Sequence, residues 1–419
     1  MSDATTVPGR TSPGLLIFLL AALTMVGPFT IDTIFPGFAA IESEFGVEAV
    51  VVQQTISVYM VCFAVMSLLH GPLSDAMGRR PVILGGMVAY AATSAVCALA
   101  PSMGWLLAGR ALQGLVAGAG MIVGRTVVRD VFDGELAQRA MSRMSMIFGV
   151  APALAPIVGG WLLGWSSWRS IFWFLTAFAL LLLLASLVLL PETHPATRRT
   201  PLRPGALARA VVDATGDAGV QRLLAVSSFN FAALFTYIGA APAIIVDHLH
   251  LGPGDFGWLF VPVVTAMITG SWLTGRLAGR VTPGQFITAG FAIAGLGAVA
   301  QLLIDAAGLQ RLPWVLVGPT CTGLGIALVF PIVTLALLEL RPRHRGTLSS
   351  LQSFTNTMLN ALVAGALVPL ASGHLAALTG LSLASSLLGW AAWIWHQRVL
   401  RPVLHTPPDP ENYEPTDRL

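Results

Sequence analysis

The chain has 419 residues, 55% of them hydrophobic and only 10% charged, with a formal net charge of +3. Soluble domains carry about 25% charged residues, so this chain, with a mean hydropathy of +0.77, cannot cover itself in water and belongs in a bilayer. All 23 basic residues are arginines scattered through short loops, not the clustered patch that nucleic-acid binding requires.

A membrane-crossing helix needs roughly 20 mostly apolar residues. Twelve such runs occur, at 14–38, 50–71, 81–100, 103–127, 142–164 and 168–190, then 222–246, 256–275, 283–304, 312–337, 346–370 and 372–396. They are numbered here as spans 1 to 12. The first is too long, and lacks the cleavage site, for a removable signal. An N-terminal bundle at 1–190 and a C-terminal bundle at 222–396 are thus expected, joined by a Pro- and Arg-rich linker at 191–221. A disordered tail is expected at 397–419. No loop is long enough for a folded soluble domain, which argues against enzyme chemistry. Placing the N-terminus in the cytoplasm puts 20 of the 23 arginines on that side, the asymmetry that sets orientation; both termini are expected inside. Trp105, Trp161, Trp165, Trp168, Trp258 and Trp314 then fall near outer ends, and Trp390, Trp393 and Trp395 near an inner end, as interfacial anchors.

In span 1 the charge of Asp32 stands out, and in span 4 that of Arg110. Intramembrane charges cost several kcal/mol and mark function by default. Each lies roughly 10 Å below the outer surface at 1.5 Å per residue, a depth that permits pairing. A structural ion pair or an outward-snorkelling group is the alternative. Burial raises a carboxyl pKa and a nearby arginine lowers it, so Asp32 has what a proton carrier needs. One charge moved through about 100 mV is worth roughly 2.3 kcal/mol, enough for a substrate gradient of roughly fifty-fold.

Between spans 2 and 3 lies GPLSDAMGRRP (71–81). Gly71 is expected to let span 2 approach a neighbour, and Gly78 to permit a tight turn. Asp75 and Arg79 are four apart, Arg80 follows, and Pro81 suits the start of span 3. GSWLTGRLAGR (270–280) looks like a worn copy of this loop without the acid, as internal repeats of a transporter would give. Span 5 carries GVAPALAPIVGGWL (149–162), where Pro152 and Pro156 bend a helix and Gly159 and Gly160 allow close packing. Span 7 holds Asn230, Phe231, Phe235 and Tyr237, span 2 holds Tyr59, and span 11 carries Gln352, Asn356 and Asn360 on one face. Facing a cavity, this mixture suits aromatic, weakly polar cargo. Facing a helix, the amides would be interhelical hydrogen bonds.

Cys62, Cys97 and Cys321 lie in apolar runs with no C-x-x-C spacing, so neither a disulfide framework nor a thiolate metal site is expected. His248 and His250 lack a third ligand nearby. No Walker loop, zincin motif or nucleophile elbow occurs in a credible context.

At these residues the chain resembles the major facilitator superfamily, and more closely its Bcr/CflA drug-resistance branch of proton-coupled exporters. The resemblance covers about residues 14–396. GPLSDAMGRRPVILGG (71–86) is similar to the family's loop 2–3 signature, and LLAGRALQG (106–114), with Arg110 and Gln113, to its span 4 signature. GRTVVRDVFDG (124–134) and GWSSWRSIFW (164–173) resemble stretches of the branch. FTIDTIFPGF (29–38), which opens with Phe29, matches its span 1 pattern of an acid shortly before a proline.

The resemblance implies an all-α membrane fold of two pseudo-symmetric six-helix bundles in a bacterial inner membrane, working by alternating access. Asp32 would be the proton-responsive acid and Arg110 its partner. Asp75 and Arg79, with Asp130, would latch the cytoplasmic side against the start of span 11. The span 5 stretch would be the antiporter motif, although Ala155 precedes Pro156 where the general motif has glycine. No second acid precedes Asp32 in span 1, where related exporters sometimes carry one, so the resemblance does not extend to two-proton coupling or the handling of dications. Phe29, Tyr59 and Gln113 would join the span 7 and span 11 residues around a small-molecule substrate. The implied function is proton-driven export of small hydrophobic or weakly polar drugs; a proton-linked carrier of a sugar or amino-acid derivative on the same fold is the alternative. No cofactor is implied beyond the coupling proton, and a six-plus-six chain needs no partner to complete its site.

Overall fold

The structure, a computed structural model, describes residues 12–341 and 344–404. Arg10, Arg343 and residues 405–419 of the expected tail lie outside the described residues. Among those described there are twelve helices long and apolar enough to cross a membrane. They run Pro13–Phe45, Ala49–Ser67, Arg79–Ala98, Met103–Val131, Leu136–Trp165 and Arg169–Leu189, then Ala218–Gly239, Gly257–Arg276, Pro283–Ala306, Trp314–Leu340, Arg345–Ala371 and Leu375–Val399. Each coincides with one expected run.

The differences lie at ends and connections. Span 1 is broken into helices Pro13–Thr24, Val26–Asp32 and Phe38–Phe45, because Pro28 and Pro36 each remove a backbone donor. Loop 2–3 is itself a short helix, His70–Met77. The linker at 191–221 contains the helix Pro204–Thr215. The last helix continues to Leu404, past the expected start of the tail at 397. Trp105, Trp161, Trp165, Trp258, Trp314 and Trp395 are exposed, as interfacial anchors should be, but Trp168 and Trp393 are buried. Trp168 donates to Glu44 Oε2 at 2.6 Å, and its neighbour Arg169 binds the same carboxylate at 2.5 Å.

Helix pairings recur six spans apart. Span 1 packs on 5 and 6, 2 on 4, and 3 on 4 and 6; in the second half, 7 packs on 11 and 12, 8 on 10, and 9 on 10 and 12. Two further contacts cross between the halves, 2 with 11 and 5 with 8, and these too exchange under the same repeat. The result is two pseudo-symmetric six-helix bundles meeting along two helix pairs. In a membrane such packing cannot rely on expelling water; it rests on close backbone approach and buried polar contacts.

Span 7 begins at a specific cap. Asp217 accepts from the Gly219 and Val220 amides at 2.7 and 3.3 Å and from Arg341 at 3.1 Å. Partial burial pushes its carboxyl upward, but those amides and the guanidinium outweigh it and hold the group below its ordinary value. A depressed carboxyl stabilises the fold above its unfolded pKa, near 3.9, and loses that contribution as pH falls through the folded value. Asp217→Ala is therefore expected to cost about 1 kcal/mol at neutral pH and to flatten the stability profile below about pH 4. Thermal unfolding of both proteins between about pH 3 and pH 7 measures it; parallel profiles would exclude the cap.

Candidate functional site

The geometry of the site starts at Arg110, whose side chain is wholly buried. Its Nε donates to Thr55 O at 3.0 Å and its Nη1 to Thr30 O at 3.0 Å and to Gln113 Oε1 at 2.9 Å. The guanidinium lies 4.6 Å from the centroid of Tyr59, a cation–π contact. Gln113 in turn donates to Ser94 at 2.8 Å, and the Tyr90 hydroxyl meets Thr30 Oγ1 at 2.5 Å. One arginine thus ties spans 1, 2, 3 and 4 together, leaving only Nη2 without a partner.

Asp32 does not share in this network. It ends the short helix Val26–Asp32, is 4% exposed, and its carboxylate has no ion pair or hydrogen bond with any described residue. Arg110 instead binds the backbone of Thr30, two residues earlier. The expected pair is not formed in this conformation: Nε and Nη1 of Arg110 go to the Thr55 and Thr30 carbonyls and to the Gln113 amide, and the free Nη2 makes no bond to the carboxylate.

Gly159 and Gly160 lie where span 5 meets two neighbours at once. A Cβ on Gly159 would fall 2.0 Å from Thr33 O, next to Asp32, and one on Gly160 would fall 2.1 Å from Pro253 O in the other half. The helix runs unbroken from Gly134 to Trp165 through Pro152 and Pro156. Gln53 and Gln54 close the same end from span 2: Gln53 Nε2 donates to Gly239 O at 3.0 Å and Gln54 Nε2 to Gly365 O at 2.9 Å. Gly365 lies in the π-helical stretch Val363–Leu367, where the altered hydrogen-bond pattern can free a carbonyl. Phe35 and Phe260 stack across the halves at 6.3 Å. All these contacts lie toward the arginine-poor end.

Toward the arginine-rich end the halves part. A cavity of about 1060 Å³ lies there between span 2 of the first half and spans 7 and 11 of the second. Ser57, Val58, Val61 and Cys62 form one wall; Leu224, Ser228, Phe354, Met358 and Leu362 form the other. Thr215 and Gln221 mark its mouth and Gln54 its deep end.

None of the residues expected around a cavity lines this one. Phe29 packs on Phe174 and Phe178 of span 6 at 5.9 and 5.6 Å, and Tyr59 and Gln113 are taken up by Arg110. Phe231 meets Phe330 edge-on at 4.8 Å, and Phe235 and Tyr237 are buried. Gln352 donates to Ser227 and Thr334 at 2.9 and 3.0 Å, and Asn356 donates to Ser227 at 3.1 Å while accepting from Ser228 at 3.0 Å. The amide stripe therefore serves helix association, the other expectation for it. Asn230 and Asn360 are buried and each leaves one polar atom unpartnered.

At the arginine-rich surface, Arg79 is 5% exposed. It binds Asp75 at 2.5 Å, Asp130 at 3.1 Å and Ser74 at 2.7 Å. The expected contact with the start of span 11 is absent among the described residues; the linker takes its place. Glu192 accepts from the Arg79 amide at 3.0 Å, Thr193 donates to Asp130 at 3.0 Å, and the Thr200 amide donates to Asp75 O at 3.1 Å. Arg80 donates to Leu187 O at 2.7 Å. Gly78 has φ +101° with Glu192 directly over it, so it does make the tight turn. A Cβ at Gly71 would meet nothing within 4 Å, so that glycine supports no close approach.

Sequence reading missed Gln53, Gln54 and Glu192, whose only signal is polarity at a span end. It also missed Asp305, 7% exposed and bonded to Gln301 at 2.9 Å near the end of span 9. No group of three or more metal-ligating residues occurs among the described residues.

Two pseudo-symmetric bundles with a cavity between them, sealed at one end, define a secondary transporter. The family model described as Major Facilitator Superfamily matches residues 17–365, and the chain belongs to that superfamily. It is 34% identical over 268 residues to the MFS-type transporter YdgK of Bacillus subtilis (strain 168), covering 64% of this chain and 67% of that one. It is 29% identical to the bicyclomycin resistance protein homolog of Haemophilus influenzae (70% and 74% covered) and 26% to multidrug resistance protein D of Escherichia coli (strain K12) (80% and 84%). These are relatives of the Bcr/CflA drug-resistance branch. Among solved structures, a bacterial homolog of the human lysosomal transporter Spinster, inward-facing and unoccupied, aligns with TM-score 0.71 at 16% identity, covering 96% of this chain and 100% of that one. The chain is thus a multi-pass membrane transporter of small molecules, not an enzyme.

Proposed function

We propose that this transporter exports small hydrophobic or weakly polar drugs from the cytoplasm in exchange for protons, by alternating access. The observation that carries the reading is the combination of a cavity open at one end with a buried, unpaired carboxylate in the sealed part of the first half. An ionised carboxylate in apolar surroundings is costly unless paired, so Asp32 gains most from taking up a proton and gives it up when the cavity exchanges sides. The named relatives, two of them resistance proteins, support drugs as the cargo.

With arginine-rich loops in the cytoplasm, both termini lie inside a bacterial inner membrane and this conformation faces inward. Arg110 holds spans 1, 2 and 4 in register around Asp32. Gly159 and Gly160 keep the outer end tight against leakage. The Arg79–Asp75–Asp130 cluster is parked on the linker here and turns to span 11 when the cytoplasmic side closes. No cofactor other than the coupling proton takes part, and one chain suffices.

The test is drug-driven proton movement in proteoliposomes, wild type against Asp32→Asn. Drug addition is expected to collapse an imposed pH gradient in wild type and to leave it intact in the variant. A variant that responds like wild type would place coupling elsewhere. A wild type silent to a broad drug panel would favour the metabolite carrier.

A further inference from the structure

The cavity between spans 2, 7 and 11 has an unusual chemical uniformity. Among the described residues that line it, not one carries a formal charge, and its polar groups are the amides and hydroxyls of side chains such as Gln54, Ser57, Gln221 and Ser228. The charged groups nearest in function point elsewhere. Asp32 and Arg110 are enclosed within the first bundle, and Arg222 lies over Trp395 at 5.6 Å. Val58, Val61, Leu224, Phe354, Met358 and Leu362 supply apolar wall on both sides. Such a lining solvates an apolar body with a few amide or hydroxyl groups, whereas a cation or anion entering it loses water and meets no counter-charge, a heavy penalty in apolar surroundings.

We infer that this cleft is the cargo site and that it selects uncharged amphiphiles against cations and anions of the same size. The inference rests on the export reading above and narrows its substrate class. It also separates cargo from proton: the cargo lies against span 2 and the second bundle, while Asp32 is walled off in the first, so the two are linked through helix movement rather than by competing for one carboxylate.

Cys62 lies in the wall and is partly exposed, which makes it a native reporter. The rate of its alkylation by a maleimide is followed by peptide mass spectrometry, which resolves it from Cys97 and Cys321 in the wild-type protein in nanodiscs. Three probes are compared: neutral N-phenylnaphthylamine, cationic tetraphenylphosphonium and anionic anilinonaphthalene sulfonate. Saturating neutral probe is expected to slow the reaction about tenfold, and the charged probes less than about twofold. Val61 is 40% exposed in the same wall, so Val61→Asp places an acid there, with Val61→Asn as the uncharged control for polarity and folding, and protection by tetraphenylphosphonium is expected to overtake that by the neutral probe in Val61→Asp alone.

Equal protection by charged and neutral probes, or an unchanged preference in Val61→Asp, would overturn the charge selection. No protection by any probe, while drug-driven proton movement persists, would remove the cleft as cargo site and leave the export reading standing. Protection by the neutral probe with no drug-driven proton movement would do the reverse, sinking export and keeping the cleft.

Discussion

Arg110→Ala is expected to destabilise the protein by about 3 kcal/mol and to abolish coupled transport. Hydrogen bonds in membranes average well under about 1 kcal/mol each, so the loss of the two bonds to the Thr30 and Thr55 carbonyls alone is modest. The larger costs are the void left by one of the largest fully buried side chains in the molecule and the stranding of Gln113 Oε1, which then lacks its strongest donor. Arg110→Lys separates fold from function. An ammonium carries its three donors on one atom and has no plane, so it cannot span acceptors on spans 1, 2 and 4 that Nε and Nη1 reach separately, nor lie flat over Tyr59. Arg110→Lys is therefore expected to keep most of the melting temperature but to lose at least about tenfold in transport rate. Thermal unfolding in detergent and drug-driven proton flux, measured on both variants, decide the matter. A lysine variant that transports like wild type would reduce Arg110 to a dispensable strut.

The second large effect is expected at Gly159 and Gly160, where adjacent residues perform different tasks. A methyl at either position would sit 2.0 or 2.1 Å from a backbone oxygen, far inside any tolerated contact, and overpacking of this kind costs roughly 1–3 kcal/mol. At Gly159 the oxygen belongs to Thr33, in the same bundle, so Gly159→Ala loosens span 1 beside Asp32 and lowers stability. At Gly160 it belongs to Pro253, in the other bundle, so Gly160→Ala pries the halves apart at their closed end and acts mainly on the conformational equilibrium. The same energy, roughly 1–3 kcal/mol, then moves the ratio of the two conformations by about five- to 150-fold. Spin labels on Cys62 and on Met358→Cys, which face each other across the cleft, should show a shorter distance in Gly160→Ala than in wild type. An unchanged distance distribution would show that this contact does not hold the arginine-poor end shut.

The charges and the spans are legible in the order of amino acids alone. Asp32 and Arg110 stand out because a bilayer makes every ionisable group expensive, and Asp75, Arg79 and Asp130 because their loops sit where charge has a use. Their partners are not legible. Equal depth sets Arg110 opposite Asp32, yet its donors go to Thr30, Thr55 and Gln113, since depth along the normal says nothing about azimuth. Arg79 is expected to reach span 11, yet the linker residues Glu192, Thr193 and Thr200 close over its cluster in this conformation. The amides of Gln352 and Asn356 suit a cavity by their spacing and instead bind Ser227 and Ser228, for either use places a polar stripe on one helix face.

What the sequence by itself determined is the number, length and order of the spans, the arginine asymmetry between the two ends, and the few groups too costly to be accidental. These are one-dimensional quantities: apolar run length against bilayer thickness, and charge against position. Only the tertiary structure decided which face of each helix meets lipid, protein or cavity. In a soluble protein hydropathy marks the buried face; here lipid and protein interior are equally apolar, so the helices carry little such contrast, and small residues, buried polar contacts and the pairing of whole helices choose the faces instead.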